Sequence, residues 1–195
     1  MICHTLDEAI HRMVHRMADD GRVRVLMLFD RREFMHELAS MVWVEADNVV
    51  EATEVTKATD ASTHHYREIA EDENWPMVCR WIELAVVEIE QMLYSLTKVH
   101  EQWHRSMDNR VSDAPEWAIE MRVKPDVSET SINLLMSLAN EYMKARALME
   151  WAGLVFMEKQ PYWEKKAEQL KEQIRDAGRS CEILHHVKRP MWPAW

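Results

Sequence analysis

Turn-forming residues are scarce: the 195 residues include three glycines and six prolines, too few for a fold built from many short, tightly connected strands. Three glycines are also too few for a phosphate-cradling loop, and the chain contains no P-loop, GxGxxG, GxSxG or HExxH stretch. Cysteine is equally sparse. Cys3, Cys79 and Cys181 are odd in number, far apart and without a CxxC pair, which argues against a disulfide framework or a zinc knuckle and for reduced thiols. No run of about 18 apolar residues occurs, and residues 1–17 lack the apolar segment of a signal peptide, so a chain made and kept in the cytoplasm is expected. Positive charge is in deficit, with 24 Lys plus Arg against 34 Asp plus Glu and a net charge of -10. Such a surface repels phosphate and is unsuited to gripping nucleic acid tightly.

What is present is helical periodicity. A hydrophobic fraction of 47% supports one substantial core. Over 128–156, Leu135, Leu138, Tyr142, Ala145, Met149, Ala152 and Phe156 recur at spacings of three and four, one stripe of a long helix with Ser128 as its N-cap. Pro161 suits the start of the next helix, whose stripe is Trp163, Ala167, Leu170, Ile174, Ala177, Cys181 and Leu184. The two form an antiparallel hairpin, with Met149 and Ala152 expected against Leu170 and Ile174.

Upstream, Thr5 with Glu8 reads as a capping box opening a short helix that ends near Asp20-Gly21, and 22–29 alternates as a strand or begins a helix. Asp30 with Glu33 opens a helix to about Lys57 that buries Phe34, Leu38, Met41, Val42 and Val49 and carries Glu45 on the same side. Residues 58–74 are polar and acidic, a mobile linker with one helical turn near Tyr66 to Ala70. Asn74 and Pro76 start a third helix, expected to run to about Met107. Residues 116–123 alternate Trp117, Ile119, Met121 and Val123, a strand that must pair with 22–29 or with another subunit. The prediction is a mainly α protein: a bundle of about five helices with a long antiparallel hairpin and a minor β element, one domain over 1–186 and an extended docking tail over 187–195.

Glu-x-x-His, the pattern that supplies a carboxylate and an imidazole to dinuclear centres in ferritin-like bundles, occurs as Glu8/His11, Glu33/His36, Glu101/His104 and Glu182/His185. These pairs mostly flank the apolar stripes. Glu141 and Glu150 also fall off the seam of the long helix, leaving Glu45 as the one core-facing carboxylate, expected to pair with an Arg or Lys of a neighbouring helix. The ferritin-like metal protein is therefore the alternative, and the leading expectation is a non-enzymatic chain with no cofactor and no metal site. The net charge also admits an acidic mimic of nucleic acid.

Taken in order, the strand EWAIEMRV, the turn KPDVSE, the helix ending ALMEW, the helix YWEKKAEQLKEQIRDAG and the basic end VKRPMW resemble the small helical head-to-tail adaptor, or connector, proteins of tailed bacteriophages and prophages. The resemblance covers about 116–195, and REFMHELASMVWVEADNVV adds an early helix of the same kind. It implies a virion subunit assembled in the bacterial cytoplasm. Copies would form a ring against portal and tail-side proteins, with DNA passing through a channel without tight binding. Extended termini and strands would make the contacts, which places partner binding at Trp117, Met121, Lys188, Arg189, Pro190, Met191, Trp192 and Trp195.

Overall fold

Asp30 ends one element and starts the next. Its carboxylate accepts hydrogen bonds from the backbone N–H groups of Arg32 and Glu33, both at 2.9 Å, satisfying two donors that the first helical turn leaves unpaired. In the computed structural model, which describes residues 11–17, 22–52, 67–97 and 115–182, with side chains described for 22–45, 67–97 and 115–181, strand β2 (Val23–Asp30) runs straight into helix α1 (Arg31–Ala52). Before β2 lies strand β1 (His11–Met17). After α1 come a short 3-10 turn (Glu68–Ala70), helix α2 (Trp75–Met92), the single turn α3 (Tyr94–Thr97), strand β3 (Glu116–Val123), and the helices α4 (Glu129–Val155) and α5 (Gln160–Glu182). The protein is mainly helical with a minor antiparallel sheet.

The strand at 116–123 pairs within its own chain. β2 is the middle strand of an antiparallel sheet in the order β1-β2-β3, with Val23 opposite Val123 and Asp30 opposite Glu116. Its alternation turns Val25, Met27 and Phe29 inward beside Trp117, Ile119, Met121 and Val123, all buried, while Arg24 and Glu120 form a 2.6 Å ion pair on the outer face. The residues expected to form an N-terminal helix instead form β1, with His11 opposite Phe29 and Met17 opposite Val23. The second edge of β2 needs partners for its backbone groups, and that tertiary demand overrides the helical pattern of 11–17. Thr5 and Glu8 lie outside the described residues.

Helix α2 stops well short of Met107. Leu93 leaves helical geometry and is buried, and the Thr97 hydroxyl donates to the carbonyl oxygens of Glu90 (2.7 Å) and Leu93 (3.1 Å), closing the helix end. Residues 98–114 lie outside the described residues, as does most of the expected linker. Its described end is folded, with Ile69 fully buried and Asn74 Nδ2 donating to the Glu68 carbonyl oxygen at 3.0 Å.

The Ser128 cap of α4 is present, its hydroxyl accepting from the Ser131 N–H at 3.2 Å. Its buried surface is wider than one stripe. Of the expected stripe Leu135, Tyr142, Ala145 and Ala152 are buried and Leu138, Met149 and Phe156 half-buried, and Ile132, Met136, Ala139, Met143, Ala147, Leu148 and Trp151 are buried too, so α4 is the central helix, packed on by both α2 and α5. Pro161 stands in the first turn of α5, and the hairpin is antiparallel as expected. Its register differs. Glu141 meets Lys166 at 3.7 Å, and a Cβ at Gly153 would lie 3.1 Å from the Gln160 side chain. These contacts place Leu170 against the middle of α4, about two turns from Met149, because the 3-10 turn at Met157–Lys159 brings α5 back sooner than stripe matching assumes.

Candidate functional site

Two of the residues expected to meet a partner belong to the core. Met121 is fully buried, and Trp117 packs edge-on against Phe34 at 5.3 Å between ring centroids, with the Arg31 guanidinium 4.9 Å above it. Both sit on the inward face of β3, and once that strand pairs with β2 the alternation that made them conspicuous is explained by packing. Lys188, Arg189, Pro190, Met191, Trp192 and Trp195 lie outside the described residues.

Three of the four carboxylate and histidine pairs, Glu8/His11, Glu101/His104 and Glu182/His185, have side chains outside those described. Of the four, Glu33 and His36 alone have both side chains described, and His36 is exposed. Among the described residues no group of three His, Cys, Asp or Glu side chains stands close enough to hold a metal ion. The Glu45 carboxylate accepts a hydrogen bond from the Trp163 indole N–H at 3.2 Å, which ties α1 to the start of α5. Lys144, a buried cation 2.7 Å from Glu37 and 3.3 Å from Glu141, pairs α1 with α4. Lys166, which also meets Glu141, lies 4.9 Å over the Trp163 ring. Glu37, Lys144, Glu141, Lys166, Trp163 and Glu45 thus form a belt of polar contacts joining α1, α4 and α5.

A second polar cluster joins α2 to α4. The Tyr142 hydroxyl donates to Glu88, whose carboxylate lies 3.6 Å from Arg146 Nε, and Arg146 also pairs with Glu150. Burial, followed by the hydrogen bond to Glu88, pushes the Tyr142 phenol well above its ordinary range, so it stays a neutral donor. Burial likewise raises the Cys79 thiol, and Cys181 is buried as well. These groups are held in structural contacts.

Two outward surfaces stand out among the described residues. At the turn of the α4–α5 hairpin, Leu154, Met157 and Tyr162 are 64%, 72% and 55% exposed, three large apolar side chains within nine residues. Beside α5, an open cleft of about 540 Å³ runs between Gln91, Met92, Leu93 and Ser95 on one wall and Lys171, Arg175 and Arg179 on the other. Neither surface stands out in the sequence, although both carry a signal there. Leu154 falls opposite the stripe of Ala152 and Phe156, and Lys171, Arg175 and Arg179 repeat every four residues. Among the described residues no helix is long and apolar enough to cross a membrane. Compared with protein-family models, curated proteins and solved structures, the chain matches none.

Proposed function

We propose that this protein is a non-enzymatic structural subunit of a phage virion, a head-to-tail adaptor that docks through the end of its helical hairpin. The observation that carries the reading is the exposure of Leu154, Met157 and Tyr162 at that turn. Large apolar groups gathered at one tip of a rigid element cost solubility unless a partner covers them, and they match the apolar anchors of protein interfaces. The polar belt between α1, α4 and α5 supports the same role by holding the hairpin at a fixed angle, so that docking costs little further ordering. The net charge of -10 suits a body beside which DNA slides without sticking.

The test is a Leu154→Ser/Met157→Ser variant. Both side chains are solvent-exposed, so folding stability should change by no more than about 0.5 kcal/mol, while incorporation into particles in a complementation assay is lost. Full incorporation of the variant contradicts docking through the hairpin end. Absence of the wild-type chain from purified particles contradicts the virion role itself.

A further inference from the structure

We propose that the chain binds copies of itself head to tail, the acidic turn at Glu71, Asp72 and Glu73 of one copy seating in the basic cleft lined by Lys171, Arg175 and Arg179 of the next. This deepens the assembly reading above and rests on it only in treating the protein as a subunit.

The cleft is cationic in a chain that is otherwise strongly acidic. Lys171 is engaged by Glu168 at 3.3 Å and Arg179 by Asp176 at 3.2 Å, while Arg175 is exposed and has no ion pair among the described residues. Glu88 borders the cleft, but its carboxylate is already committed to Tyr142 and Arg146. An anion entering there meets an unanswered guanidinium flanked by two further cations.

The chain itself carries the complement. Glu71, Asp72 and Glu73 are three consecutive exposed carboxylates, none ion-paired among the described residues. Their backbone is fixed: the Glu71 N–H donates to the Glu68 carbonyl oxygen at 3.1 Å, and the Glu71 carbonyl oxygen accepts from Asn74 (2.9 Å) and Trp75 (3.0 Å). Asp72 also borders a second cleft with Arg32 and His36, so Glu71 and Glu73 are the freer pair.

Position makes the contact intermolecular. The turn precedes the first residue of α2 and the cleft lies at its last, and an 18-residue helix separates them by roughly 25 Å. Neither patch is complementary to itself, so the pairing is heterologous, and two joined copies keep one free cleft and one free turn between them for the next.

Two charge reversals test this on the full chain by native mass measurement: Lys171→Glu/Arg175→Glu in the cleft and Glu71→Lys/Glu73→Lys at the turn. The wild type should form oligomers that weaken as salt is raised, and each variant alone should need at least about tenfold more protein to associate. An equimolar mixture should recover oligomers of alternating composition, because the acidified cleft of one variant now faces the basic turn of the other. Arg175→Glu alone, at an exposed site, gives the same readout should the double cleft variant fold poorly. Wild-type oligomers indifferent to both reversals, or a mixture that fails to recover, overturn the inference and leave the virion role standing. A wild type that stays monomeric overturns it too, while detection in particles judges the virion role separately. Duplex DNA bound by the wild type and lost on reversing the cleft, without self-association, would reassign the cleft to phosphate.

Discussion

Tyr142 shows how one residue can belong to the core and to a polar network at once. Its ring is buried in the middle of α4, and its hydroxyl donates to Glu88 on α2, so the phenol is retained in its neutral form above the ordinary value of 10. The unfolded chain releases this proton near pH 10 while the folded chain holds it, so the contribution to stability is complete below pH 10 and is lost as pH rises beyond it. Tyr142→Phe removes that proton from both states. Denaturant melts of the two proteins should therefore run parallel from pH 7 to 9 and converge above 10, as the wild type loses the advantage of its hydrogen bond. A constant difference up to pH 11 would show that the hydroxyl is free to ionise in the folded state.

At the scale of the element, two glycines inside helices make a paired test. A Cβ at Gly178, in α5, would stand 2.5 Å from Leu93 Cδ2, and Leu93 is buried where α2 gives way to α3. At Gly153, in α4, the nearest atoms are 3.1 Å away and belong to the end of the Gln160 side chain, which is free to swing aside. Alanine gains about 1 kcal/mol over glycine in a helix interior. Gly153→Ala should keep most of that gain, whereas at Gly178 the displaced Leu93 outweighs it, for a net loss of about 1–2 kcal/mol. Chemical denaturation of the two variants measures both, and equal stabilisation would mean that α5 does not approach the α2–α3 junction this closely.

The elements the sequence made legible are those set by local chemistry. Asp30 and Ser128 cap helices because their oxygens reach amides within three residues, Pro161 falls at a helix start, and the alternation of 117–123 matches a half-buried strand. What was hidden depends on contacts distant in sequence. Residues 11–17 become a strand only because β2 has an edge to fill, α2 stops where Leu93 turns into the core, and α4 buries more than one face because α2 and α5 both pack on it. The outward surfaces were obscured for the same reason. Trp117 and Met121 attract notice as large apolar residues and prove to be core, whereas Leu154 and Met157 look ordinary until the hairpin turn leaves them uncovered.

For the whole molecule, the described buried residues of β2, β3 and all five helices form one continuous apolar cluster, and the polar networks at Lys144 and Tyr142 tie the helices around it. Such a body is suited to presenting fixed surfaces to partners. The hairpin turn is the surface proposed to seat on another protein of a virion, and cross-linking mass spectrometry of purified particles reads that contact. Lys159 lies in the 3-10 turn between Met157 and Tyr162, and Lys165 is exposed one turn into α5, so both report on that surface. Each particle should contain several copies of the chain, with cross-links from Lys159 and Lys165 to a different virion protein. Particles that lack the chain while infected cells contain it would rule out that role.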